Sequence, residues 1–203
     1  MIKIKTQSMI LFLIIFSNIH ADVVVFPEQE WLSTIPESVG IESEKVEYLF
    51  NLAFEDQATQ SAVLIKNGYI IKERYSDSYN QESFGTSWSM AKSFYAALIG
   101  ISIDRGEINS LDDKVSDYID YFNDERSDIT IRQILNMTSG LDFPENEHES
   151  MFFRHDQIAY VKDVGIEKLP EQVFEYNNVN SMIVGEILKN ATGISAEILL
   201  EDR

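Results

Sequence analysis

The chain has 203 residues, 34 Asp and Glu against 16 Lys and Arg, a formal charge of −18, 44% hydrophobic residues and no cysteine. This balance is that of a folded globular protein with one sizeable core, and it excludes a disordered tail or a membrane bundle. The net charge repels a phosphate backbone and no run of Lys or Arg offsets it, so nucleic acid is not an expected partner. Without cysteine there is no disulfide, thiolate nucleophile or Cys-held zinc.

At the N-terminus, Lys3 and Lys5 precede an apolar run over residues 9–16, and a short polar stretch then leads to Ala21. This pattern predicts a Sec signal peptide over residues 1–21 and hence a periplasmic or secreted protein; a retained anchor is the alternative. The run is too short to span a bilayer as a helix, so no stable membrane insertion is expected after its removal. Residues 22–42 read as an extended lead-in, and residues 43–54 as a helix carrying Val46, Leu49, Phe50 and Ala53 on one face. Two Val-, Ile- and Tyr-rich stretches, 61–65 and 69–75, flank Asn67-Gly68, the dipeptide whose positive backbone angles suit a β-hairpin.

Residues 89–105 are apolar almost all round, which predicts a buried central helix ending near Gly106. Further helices are expected over 114–121, 129–137, 156–162 and 178–190, and another opens near Ser195. The layout is α+β: a hairpin followed by a helical block, read as one domain over residues 43–203. Two strands do not make an independent sheet, so further strands are expected to lie beyond this chain.

The most informative stretch is Ser89-Met90-Ala91-Lys92, where a polar turn enters the apolar helix. Residues three apart share a helix face, so Lys92 can reach the Ser89 oxygen, and the helix N-terminus favours a developing alkoxide. Burial would lower the lysine pKa and let it act as a base. Alone the pattern is weak, because on the order of one match arises by chance in such a length. The alternative is an N-cap serine beside a snorkelling lysine.

Other stretches accompany this motif: Ser93-Phe94, Gly106-Glu107-Ile108, Leu111-Asp112-Asp113-Lys114-Val115 with Tyr118, residues 131–141 (IRQILNMTSGL), Phe174-Glu175-Tyr176-Asn177-Asn178 and residues 185–193 (GEILKNATG). With these in order, residues 30–203 resemble the serine β-lactamase-related superfamily, especially class C-like esterases and 6-aminohexanoate-dimer hydrolases. The resemblance implies a β-lactamase/transpeptidase-like fold and a serine hydrolase that forms an acyl-enzyme on a small amide or ester. It assigns Ser89 as nucleophile, Lys92 and Tyr176 as proton carriers, and Asn178 as a substrate-binding residue of a Tyr-x-Asn element. It calls for no cofactor and no metal. A second match, Tyr121-Phe122-Asn123, is set aside because only Tyr176 follows the family-like lead-in over residues 170–174.

The family's third element, a Lys or His followed two residues later by Gly, has one candidate, Lys66-Asn67-Gly68, which lies upstream in the hairpin turn and is assigned to turn chemistry. A non-catalytic relative that binds a peptide or acyl ligand, or an inactive remnant, is therefore the competing reading. Trp88 adjoins the nucleophile and is expected to line the cleft; core packing is its alternative. The near match Gly85-Thr86-Ser87-Trp88-Ser89 to a nucleophile elbow lacks the final glycine and a preceding strand. His148 and His155, seven apart among carboxylates, read as a solvated loop rather than a metal site.

Overall fold

Asn67 and Gly68 turn the chain with φ of 54° and 82°, the left-handed pair that a tight hairpin turn requires. These angles belong to a computed structural model that describes residues 25–28, 30–144 and 147–203; the predicted signal peptide lies outside them. Strand β1 (Ser61–Lys66) pairs antiparallel with β2 (Tyr69–Tyr75), Ser61 opposite Tyr75 and Lys66 opposite Tyr69, with an irregularity between Leu64 and Ile65. A Cβ on Gly68 would fall 1.5 Å from the Val25 carbonyl oxygen, so close backbone approach as well as φ demands glycine there. Lys66 is used locally, donating to the Val39 carbonyl at 2.7 Å.

Helix α1 (Ser43–Ala53) presents Val46 and Phe50, four apart and therefore on one face, to Ile71, Ala62 and Leu64 of the hairpin. Alternation along β1 sends Val63 and Ile65 to the opposite face, where they are exposed. Lead-in residue Ser33 forms a parallel bridge to Ile70, so part of the extended segment joins the sheet edge. These elements make a compact unit up to Gly85, and Thr86–Arg203 makes a second with its own core.

In the second unit the central helix is α6 (Asn178–Thr192), which buries Val179, Asn180, Ile183, Val184, Ile187 and Leu188 in the i, i+4 rhythm of a packed face. The expectation that residues 89–105 form the buried central helix is corrected here. Trp88–Met90 is a 3-10 turn, and α2 (Ala91–Asp104) buries only Leu98, Ile99 and Ser102, while Met90 and Phe94 lie open. The reason is that α2 packs along one side, against α6 and α7 (Ala196–Asp202), whereas α6 is also covered by α3 (Ile131–Leu135) and α5 (Gln157–Lys162).

Residues 114–121 are not a helix but two 3-10 turns, Val115–Asp117 and Asp120–Phe122, with Ile119 extended between them. Here the backbone bonds across instead of along: Val115 N–H donates to the Ile129 carbonyl at 2.8 Å. The helix expected over 129–137 shrinks to α3 because Thr130 stays extended and caps it, its hydroxyl accepting from Gln133 N while the Gln133 side chain returns to Thr130 N. A helix that the sequence reading left out, α4 (Glu147–Phe152), precedes α5, which Asp156 caps by accepting from Ala159 N at 2.9 Å. Among the described residues no helix is long and apolar enough to cross a membrane.

Candidate active site

Ser89 sits in the 3-10 turn that feeds α2, and its side chain does not cap the helix. Instead Lys92, one turn on, donates from Nζ to Ser89 Oγ at 2.9 Å, as the three-residue spacing predicts. Tyr176, 87 positions later, donates its hydroxyl to the same oxygen at 2.6 Å. The Lys92 ammonium also lies 5.0 Å from the centre of the Tyr176 ring. Partial burial pushes the Tyr176 phenol up. Hydrogen bonding with Lys92 and Ser89, together with the Lys92 charge, outweighs that effect and holds the phenol below its ordinary value of 10.0. Three groups able to give or take a proton therefore share one oxygen.

The backbone just before Ser89 is strained: Trp88 has φ of 45°, a left-handed value that costs a bulky residue roughly 1–2 kcal/mol. Trp88 is 73% exposed and lines a cleft of about 780 Å³. Trp88, Lys92 and Asn178 line that cleft with Tyr95, Met182 and Gly185, whereas Ser89 and Tyr176 are not among its lining residues. Trp88, expected to line the cleft, and Asn178, expected to bind substrate, share this lining with Lys92. His155 lines the same cleft, and among the described residues no group of carboxylates and histidines is arranged to hold a metal. The His148 side chain lies outside the described residues.

Over residues 54–203 the chain matches the β-lactamase family. It belongs to that family. No curated protein matches it. Among solved structures, this β-lactamase-family chain is similar to a candidate 6-aminohexanoate-dimer hydrolase from Bacillus anthracis, with 22% identity and a TM-score of 0.64 over 89% of this chain and 52% of that one. A candidate β-lactamase from Bacteroides dorei shows 22% identity and a TM-score of 0.65 over 79% and 50%. A class C β-lactamase mutant shows 22% and 0.58 over 79% and 47%. The family member described here thus has the β-lactamase/transpeptidase-like fold and spans about half the length of the structures it matches.

Sequence reasoning missed the groups that support Tyr176. Asn177, the middle residue of Tyr-x-Asn, is 2% exposed, and its Oδ1 accepts from Val179 N at 2.8 Å to cap α6. An Asn directly before an apolar periodic stretch is an N-cap signal that could have found it. Ser139, 1% exposed, donates to Asn180 Oδ1 at 2.7 Å, a pairing 41 residues apart that local spacing does not disclose.

Proposed function

We propose that the chain carries the nucleophile and proton-transfer groups of a serine hydrolase acting on a small amide or ester outside the cytoplasm. What carries this reading is the convergence of Lys92 Nζ and Tyr176 Oη on Ser89 Oγ. The location rests on the pattern of residues 1–21 alone.

In the first step Ser89 Oγ attacks the substrate carbonyl carbon, and its proton passes to whichever of Lys92 or Tyr176 is deprotonated. The developing oxyanion lies near the N-terminus of a 14-residue helix, whose aligned peptide dipoles favour negative charge. Collapse breaks the carbonyl bond to the leaving nitrogen or oxygen, which takes the stored proton. The acyl group remains on Ser89. Water then attacks the acyl carbon, gives its proton to the same pair, and releases the acid while Ser89 recovers its own. Asn178, with amide donors and an acceptor, faces the cleft where an amide of the substrate can pair with it.

The test is intact mass after incubation with a fluorophosphonate, which phosphonylates an activated serine. One adduct on the wild type, lost in Ser89→Ala, is the expected result. A folded wild type that takes no adduct would overturn autonomous catalysis and leave the ligand-binding reading.

A further inference from the structure

Tyr176 is itself 44% exposed, so packing around its ring does not fix its direction. Its place is set from beneath. The residue before it, Glu175, donates its backbone N–H to the Met137 carbonyl at 2.9 Å. The residue after it, Asn177, donates from Nδ2 to the Leu141 carbonyl at 3.0 Å while capping α6. One residue beyond the Asn178 of the motif pair comes Val179, and then Asn180, whose Oδ1 accepts from Ser139 Oγ and whose Nδ2 reaches Met137 Sδ at 3.3 Å.

Both flanks of Tyr176 and the first turn of α6 therefore hang on a single segment, residues 137–141. That segment has a shape of its own. Met137 has φ of 58°, and Gly140, with φ of 74°, lies so close to Lys168 that a Cβ there would fall 2.0 Å from its carbonyl oxygen. Gly140 O in turn accepts from Glu167 N at 2.9 Å, at the start of the stretch that leads to Tyr176. Ser139 and Asn180 are 1% exposed each. A buried polar pair is only modestly favourable in net terms, and two apolar groups of the same shape can be nearly as stable. What the polar pair adds is direction.

We propose that the buried Ser139–Asn180 pair, together with Asn177, is a positioning device that aims Tyr176 at Ser89 and Lys92. Its catalytic consequence rests on the serine hydrolase reading above; its structural content does not. The charged group facing the phenol is Lys92, and the neighbouring carboxylate, Glu175, is held by Lys168 at 2.7 Å. Moving the phenol away from Lys92 and Ser89 therefore removes what favours its phenolate.

The experiment compares the wild type with Ser139→Ala/Asn180→Leu, which deletes both partners of the bond, along with the long bond from Leu141 N to Ser139 Oγ and the Met137 Sδ contact. Tyr176 is titrated by the ultraviolet difference between each protein and its Tyr176→Phe counterpart, and fluorophosphonate adduct formation is timed by mass. We expect the double variant to keep its far-ultraviolet dichroism and Tm. Its Tyr176 midpoint should rise toward the ordinary value, and its labelling rate should fall roughly 10- to 100-fold, as a misplacement of about 1 Å costs. A merely structural pair predicts that rate and midpoint follow Tm. Unchanged midpoint and rate in a folded double variant would overturn the proposal.

If the double variant does not fold, Ser139→Ala and Ser139→Thr carry the same test. The midpoint should rise in the alanine variant and return when threonine restores the hydroxyl; equal midpoints in all three overturn it. Absence of labelling in every protein, with the titration difference intact, would count against the hydrolase reading while supporting the positioning one.

Discussion

Tyr121-Phe122-Asn123 and Tyr176-Asn177-Asn178 are the same three-residue pattern, yet the molecule puts them to opposite uses. The Tyr176 phenol meets a serine and an ammonium, and is held below its ordinary range. The Tyr121 phenol is half-buried and donates to the Glu186 carboxylate, and these two causes push it far up. Tyr118 shows the same acidic pairing: burial and Asp113, at 2.5 Å, push it up to about 12. The middle residues differ as well, since Phe122 is fully buried in the core whereas Asn177 caps a helix. A tyrosine becomes a candidate proton carrier through the sign of its neighbour and not through the pattern that contains it.

The largest expected effect that would break this comparison is on labelling. Tyr176→Phe should slow phosphonylation of Ser89 by about 10²- to 10⁴-fold, the usual contribution of a positioned proton carrier. Tyr121→Phe should leave the rate within about twofold, because its hydroxyl serves Glu186 and not the serine. Similar losses in both variants, followed by intact mass, would dissolve the distinction.

The next effect is on stability. Phe122 is fully buried and lies under the Arg126 guanidinium, 4.6 Å from its ring centre. Phe122→Ala should cost about 3–5 kcal/mol in urea unfolding, whereas Asn177→Ala, which gives up the cap of α6 and the bond to the Leu141 carbonyl, should cost about 1–3 kcal/mol. A small loss at Phe122 would mean that the first Tyr-x-Asn match is not core structure.

The smallest effect sharpens the comparison by its sign. A raised phenol such as Tyr121 contributes stability that is full below its unfolded value, near 10.0, and is lost as pH rises through the folded one. A depressed phenol such as Tyr176 contributes stability that is present above 10.0 and is lost as pH falls through its folded value. Between about pH 9 and 11 the urea midpoint of the wild type should therefore fall relative to Tyr121→Phe and rise relative to Tyr176→Phe. Parallel slopes would show that the two phenols share one environment.

The hairpin and the Ser89–Lys92 contact were legible because their causes are local: a turn dipeptide in one case, one helical turn in the other. Tyr176 was legible through the family resemblance, since nothing in its own neighbourhood of the chain points to Ser89. The centre of the helical unit was misread because α2 is the more apolar helix. Composition, however, does not tell how many neighbours a helix acquires, and α6 acquires them on more sides. The 3-10 turns around Ile119 and the left-handed Met137 escaped for a related reason: each is tied to distant backbone, Val115 to Ile129 and Met137 to Glu175, while left-handed Trp88 contradicts local propensity outright. The Ser139–Asn180 pair lies beyond any spacing rule, as two polar residues with no shared periodicity.

Closing the chain from Ser89 to Tyr176 encloses 87 positions, for which a flexible loop forfeits on the order of 4 kcal/mol of entropy before any contact compensates. The Ser89–Lys92 pair needs only a single turn of helix, whereas the place of the phenol depends on the 137–141 segment and α6. The Ser89 oxygen thus lacks its second hydrogen-bond partner for as long as the docking of that segment and helix is incomplete. On the serine hydrolase reading, assembly order itself would keep the unfinished polypeptide chemically quiet.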